Sequence, residues 1–346
     1  MNPLSDKRIL VSLAALLLPL SAFPAGVAYV SNQQGAVTVI DLETMEKKDD
    51  LAIAAGGPRG IGVTADGKWL VTANKNDGNL SVIDTASGKL VKQIAIGKNP
   101  EFVRVLGNTA YVTFEPGVFK MPQHDAVKPT DDDDKVPGHI AVVDLSAGKV
   151  VVDITGKPET EGVEISSDGK RVIVTNESDN SISIHAIHSG RLLNNISVAK
   201  YGERPRGIKL SPDGKYYVVT MEFSDKMLVL NDKFKLIKEV PTGKAPYGVS
   251  FDSEGKRVFV ASNRDKLLQV FDTNSWEKLK DIPTGERCWH FTFTPDNQQL
   301  LLACGKSNEI LVIDANRLEV TKRIANSGMP WGIVTYPKSM GSLDRP

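Results

Sequence analysis

Three sets of residues in this 346-residue chain carry side chains able to do chemistry at suggestive spacing. Arg59, Glu101, Glu161, Arg206, Tyr247, Trp289 and Trp331 recur at similar intervals, and convergent charges beside aromatics suit a ligand or an inserted peptide. The same residues would equally serve as a plug, with arginines paired to glutamates. Glu115, Glu177 and Glu222 each follow a V-T-x sequence, where Asn74 and Asn263 also stand. Converging carboxylates can hold a divalent metal such as calcium or raise one another's pKa, or they can simply pair with Arg59 and Arg206. Cys288 and Cys304 flank a turn centred on residue 296 and so face each other across paired strands. A disulfide is the first reading of that pair, and His290, two residues after Cys288, offers a second: a metal or haem-iron site.

What must position these residues is a repeat. Units begin near Pro58, Pro100, Pro158, Pro205, Pro246, Cys288 and Pro330, at a period of about 41–46 residues, stretched once to about 60 by an insertion. The clearest copy reads PRGIKLSPDGKYYVVT, then KMLVLND, then LIKEVPTG. It predicts four short strands, rich in β-branched and aromatic residues and separated by turn signals. The Asp-Gly turn after the first strand recurs at Asp66-Gly67, Asp168-Gly169 and Asp213-Gly214, and becomes Glu254-Gly255 and Asp296-Asn297 elsewhere. Asp41, Asp84, Asp144, Asp272 and Asp314 end the third strand, with His185 and Asn231 at the two other positions. A turn-capping role therefore explains His185 better than catalysis does.

The pattern predicts an all-β fold, a seven-bladed β-propeller of four-stranded antiparallel blades. The chain begins inside a blade, at Ala28–Asn32, and ends with an inner strand at Trp331–Val334. Pairing of these N- and C-terminal strands closes the ring and removes the open edge. The hairpin turns fall on one face. The P-x-G loops and the loops between second and third strands fall on the other, together with all three residue sets.

The repeat cores AYVSN (28–32), VIVTN (172–176) and VFVASN (258–263) resemble the YVTN family of β-propeller repeats over residues 27–336. The resemblance extends to an extracytoplasmic group often associated with quinoprotein dehydrogenase systems, and distantly to haem-d1-binding propellers. It implies a periplasmic binding or scaffold protein that acts on a protein partner or small ligand in an oxidative pathway. A haem- or metal-handling redox propeller is the alternative, with Cys288, His290 and His124 near the cofactor. A metal-dependent lactonase using Glu115, Glu177 and Glu222 is the third reading. Fold alone does not choose among them.

Lys7 and Arg8 precede an apolar run, Ile9 to Leu20, and then SAFPAG, which is a secretory signal layout over residues 1–25. Residues 26–346 then form one propeller with a loop insertion at 117–138 that carries His124 and the run Asp131 to Asp134. That loop reads as a solvated excursion or as a lid over the mouth. A signal of this type predicts a periplasmic protein with no membrane span after cleavage. The 42 basic and 42 acidic residues balance and give no footprint for nucleic acid. We expect a monomer. No G-x-S-x-G, P-loop, H-E-x-x-H or paired C-x-x-C occurs, so no catalytic signature is present, and the sequence requires no cofactor.

Overall fold

A computed structural model describes residues 26–115 and 136–346. Seven four-stranded antiparallel sheets make up the described chain. The first blade unites both ends: β28 (Pro330–Tyr336) lies inside β1 (Val27–Asn32), followed outward by β2 (Val37–Asp41) and β3 (Glu46–Leu51). Ala28 pairs with Thr335 and Val30 with Ile333, so the ring closes as the half-units at the two ends predict. The other six blades run inner to outer, opening on β4 (Pro58–Val63), β8 (Val103–Leu106), β12 (Thr160–Ile165), β16 (Pro205–Leu210), β20 (Pro246–Phe251) and β24 (Cys288–Phe293).

Burial follows radial position. Second and third strands are buried on both faces because each sheet is packed between two neighbours, so they read as near-continuous apolar runs such as Leu300-Leu301-Leu302. Outer strands meet water, and β3 (EKKDDL) buries only Leu51. The Asp-Gly turns form as their residues dictate: Gly67 takes φ 72° while Asp66 Oδ1 accepts from the Lys68 amide at 3.0 Å. At the third-strand ends, Asp84 accepts from the Ser87 amide at 2.8 Å and Asn231 from the Lys233 amide at 3.0 Å. His185 sits at this same position, buried, with Nδ1 3.2 Å from the Gly190 carbonyl. Burial lowers its pKa, as suits a neutral structural imidazole.

The glycine of P-x-G answers to the neighbouring blade. A Cβ at Gly207 would stand 2.4 Å from the Tyr247 carbonyl oxygen, and one at Gly162 would stand 2.3 Å from that of Arg206. The inner strands thus pack backbone against backbone. Gly207→Ala should force blades apart and cost about 1–3 kcal/mol, read as a lower denaturation midpoint with unchanged slope. Wild-type stability for this variant would mean that the blades separate easily here.

The C-terminal residues after β28 fill the channel. They run back antiparallel to β24, with an isolated bridge between Thr292 and Gly341. The Phe293 amide donates to Met340 O at 2.8 Å, and the Ser342 amide to Phe291 O at 2.9 Å. Leu343 is buried with Phe102, Tyr247 and Trp331. Below it, Arg104, Glu164 and Lys209 from three successive inner strands meet Asp344 and Arg345. Lys209 Nζ donates to Asp344 O at 2.8 Å, Arg104 Nη2 to Glu164 Oε2 at 2.9 Å, and Arg345 Nε lies 3.3 Å from Glu164 Oε1. The hairpin-turn end of the channel is therefore sealed by the chain itself.

Candidate functional site: the mouth on the P-x-G face

Three rings of equivalent residues build the opposite end. The first precedes each inner strand: Gly57, Asn99, Glu159, Arg204, Ala245, Arg287 and Met329 all take φ between 52° and 67°. Only one is glycine, so six side chains accept the left-handed conformation, as Met45, Phe234, Trp276 and Leu318 also do in the turns of the hairpin face. Six of their carbonyls grip the second ring, one residue past each second strand, and in the third blade Lys98 O holds Glu115 instead, at 3.1 Å. Glu159 O accepts from the Glu177 amide at 2.8 Å, Arg204 O from Glu222 at 2.9 Å, Gly57 O from Lys75 at 2.9 Å and Ala245 O from Asn263 at 3.1 Å. This register corrects one expectation. Asn74 is not the counterpart of the glutamates, because Pro58 pairs with Asn74 as Thr160 pairs with Asn176. Lys75 takes the ring position instead, and Asn74 bonds Asn79 and Ser81 inside its blade.

The third ring is the set Arg59, Glu101, Glu161, Arg206, Tyr247, Trp289 and Trp331. It divides into a charged arc and an aromatic arc. In the charged arc Arg206 is the hub, with a guanidinium near four carboxylates: it contacts Glu177 directly and lies 3.2 Å from Glu101, 3.5 Å from Glu222 and 3.6 Å from Glu161. Arg59 also pairs with Glu101. Arg204 pairs with Glu177 and lies 2.8 Å from Glu159. Arg206 lies 4.2 Å from the Tyr247 ring centroid and reaches its hydroxyl.

The protonation pattern follows from burial and neighbours. Burial opposes ionisation of Glu101, but Arg59, Arg206 and Lys75 hold its carboxyl below the ordinary range. Burial pushes Glu115 up to about 8, helped by the charges of Glu101, Glu159 and Glu177. Glu161 is raised well above normal by burial, which Arg206 does not offset against Glu101, Glu177 and Glu115. Glu177 and Glu222 are raised by burial against the pull of Arg204 and Arg206. The mouth thus holds carboxyls poised on both sides of neutrality, the arrangement acid–base chemistry uses.

Sequence reading missed what fills the aromatic arc. Two inner strands lack the P-x-G glycine and carry Phe102 and His290 there. With no glycine, both side chains project into the channel. His290 packs 4.3 Å from Trp331 and 5.3 Å from both Phe102 and Tyr247, and its Nδ1 lies 3.0 Å from Ser342 Oγ. Burial, then Arg206 and Lys209, keep this imidazole neutral. The signal was present in the repeat: Phe102 and His290 break the glycine column. Trp289 is half-buried over Gly305, where a Cβ would stand 2.0 Å from its ring, and Trp331 is buried beneath Arg59.

Cys288 and Cys304 pair across their strands and form a disulfide. A register shift between Cys288 and Phe291 breaks the alternation expected to put Cys288 and His290 on one strand face. The disulfide and the enclosed imidazole are therefore not brought together as ligands. Among the described residues no group of three or more His, Cys, Asp and Glu is arranged to hold a metal ion, so Glu115, Glu177 and Glu222 form no preassembled set. His124 and the loop run Asp131 to Asp134 lie outside the described residues. In the fourth blade a Thr160–Asn176 hydrogen bond of 2.9 Å spans the position that the disulfide spans in the seventh. Replacing both cysteines with serine should cost about 3 kcal/mol by loop-closure entropy. Denaturation with and without reductant measures this, and equal midpoints would show that the bridge adds nothing.

No helix among the described residues is long and apolar enough to cross a membrane. Residues 26–110 match the family model of YNCE-like β-propellers, and residues 140–231 match that of the lactonase seven-bladed β-propellers. No curated protein matches the chain in sequence. Among solved structures, hydrazine synthase of Kuenenia stuttgartiensis is 21% identical with TM-score 0.72, over 83% of this chain and 92% of that one. The Pseudomonas aeruginosa periplasmic gluconolactonase PpgL is 16% identical with TM-score 0.70, over 90% and 99%. Dihydro-haem d1 dehydrogenase NirN is 18% identical with TM-score 0.62, over 89% and 65%, in line with the distant likeness to haem-d1 propellers. At these identities the likeness is one of fold. The chain is a seven-bladed β-propeller whose repeats match the YNCE-like model in its N-terminal part and the lactonase model across its middle.

Proposed function

We propose that this chain is a periplasmic binding propeller that takes a small ligand at the P-x-G mouth. One observation carries the reading: its departures from sevenfold repetition gather at that mouth, while its own C-terminal residues seal the other end. The signal layout at residues 1–25, the Cys288–Cys304 bridge and the likeness to a periplasmic gluconolactonase support the compartment. The resemblance to propellers that accompany quinoprotein dehydrogenases supports a place in an oxidative pathway. Native mass spectrometry of protein from its own periplasm tests the reading. A retained small molecule that is lost in Arg59→Ala and Glu115→Gln supports it. Retention in both variants, with loss on changing the hairpin face, overturns it.

The lactonase match favours a second reading, because residues 140–231 contain Glu159, Glu161, Glu177, Arg204, Arg206 and Glu222. In lactone hydrolysis an ionised carboxylate takes a proton from the attacking water. A protonated one, such as Glu115, gives a proton to the ring oxygen as its bond to the acyl carbon breaks. Turnover of a sugar-lactone panel, abolished in Glu115→Gln, would establish this chemistry. No turnover above the spontaneous rate would remove it.

A further inference from the structure

The polar groups of the mouth do not balance among themselves. Of the four carboxylates around Arg206, Glu101 is shared with Arg59 and Glu177 with Arg204. Glu161 and Glu222 are left with the same guanidinium at 3.6 and 3.5 Å, beyond a good hydrogen bond. Glu161 is 4% exposed, and its Oε2 has no hydrogen-bond partner. Asn263, the residue after Glu222 in the second ring, is 3% exposed, and neither its Oδ1 nor its Nδ2 has a partner. Buried polar atoms are rarely left so, and each such atom calls for a partner or a role. Asn263 lies one blade beyond Glu222, on the blade that also supplies Tyr247. Glu161 and Glu222 both lie beside the Arg206 guanidinium, which also stands 4.2 Å from the ring of Tyr247 and reaches its hydroxyl, so the blade that carries Asn263 meets the other two at one locus.

Resting on the binding reading above, we infer that the mouth takes a primary ammonium group with an oxygen acceptor beside it, seated against Glu161, Glu222 and Asn263. An ammonium offers three donors, matching Glu161 Oε2, a Glu222 oxygen and Asn263 Oδ1. An adjacent hydroxyl or carboxylate oxygen answers Asn263 Nδ2. A metal ion fits less well, since no preassembled set of three acidic or imidazole ligands exists among the described residues and an amide nitrogen is no ligand. Glu161 faces Arg206, Glu101, Glu177, Glu115, Lys75 and Tyr247, and burial raises its pKa, so seating an ammonium against it favours loss of its proton to solvent.

Calorimetric titration of the full-length protein with ethanolamine tests this, against ethylene glycol, glycolate and calcium as probes. Ethanolamine should bind with proton release, tightening by up to about tenfold per pH unit while the carboxyl is protonated. Glu161→Gln and Asn263→Ala should each weaken it by about tenfold or more, and Lys256→Ala on the hairpin face should leave it unchanged. Binding of glycol, glycolate or calcium without ethanolamine overturns the ammonium inference and leaves the mouth a ligand site. Binding of none of the probes overturns the inference too, with water satisfying the buried atoms, and native mass spectrometry then decides the binding reading separately. Equal ethanolamine affinity in wild type and both mouth variants also overturns it.

Discussion

Arg206→Met should destabilise the propeller by about 3–5 kcal/mol, the cost of breaking a buried ion cluster from one side. The side chain is buried, and its guanidinium is the one cation within 4.0 Å of Glu161 and Glu222 among the described residues. Its loss leaves Glu161 and Glu222 with no cation within 4.0 Å among the described residues, leaves Glu177 to Arg204 alone and removes the cation over Tyr247. Protonation relieves like-charge repulsion, so the penalty should shrink as pH falls from 8 toward 5. Chemical denaturation of both proteins at the two pH values measures it. A loss under about 1 kcal/mol at pH 8 would mean that water already screens the hub.

Raising the pH from about 4.5 to about 8 should lower stability, against the common rise toward neutrality. Burial, aided by Glu101, Glu159 and Glu177, lifts Glu115 from 4.5 to about 8. Between those values the native state holds a proton that the unfolded chain has released. The stabilisation is complete below pH 4.5 and is lost as pH climbs through about 8, at up to about 1.4 kcal/mol per pH unit for each such carboxyl. Glu161, Glu177 and Glu222 act in the same direction. Glu101 and Glu164 act oppositely. Burial opposes their charge, but Arg59 and Arg206 hold the first carboxyl low and Arg104 and Lys209 the second, so their contribution is lost as pH falls below the ordinary range. The thermal midpoint should peak at mildly acid pH, and Glu115→Gln should flatten its alkaline limb. A midpoint that stays level or rises from pH 5 to 8 would contradict the protonated mouth.

Much of the architecture was legible because a repeat supplies its own controls. Period, turn chemistry and the half-units at the two ends lead to seven closed blades, and the Asp column explains His185. Legibility failed where a position departs from local rules. The residues entering the inner strands are left-handed without being glycine, so Glu159 and Arg204 carried no turn signature. In the second blade the Val71-Thr72 pair stands one register position before Val174-Thr175 of the fourth, Val71 facing Gly62 where Ile173 faces Glu164, so Lys75 takes the place given to Asn74. The segment after Tyr336 carries no part of the repeat, yet long-range contacts with Glu164, Lys209 and Phe293 bury it.

The sequence by itself determined the blades and the face on which its irregular residues fall, since turns and strand alternation are local properties of a few neighbouring residues. It also placed Cys288 opposite Cys304, because both belong to one hairpin. Only the tertiary structure decided which charges share a partner. Arg206 meets Glu101 across 105 residues of chain because the inner strands converge around one axis, where long side chains two blades apart reach each other. The sealed channel, the hub around Arg206 and the unpartnered amide of Asn263 and Oε2 of Glu161 depend on distances between blades, which no local pattern encodes.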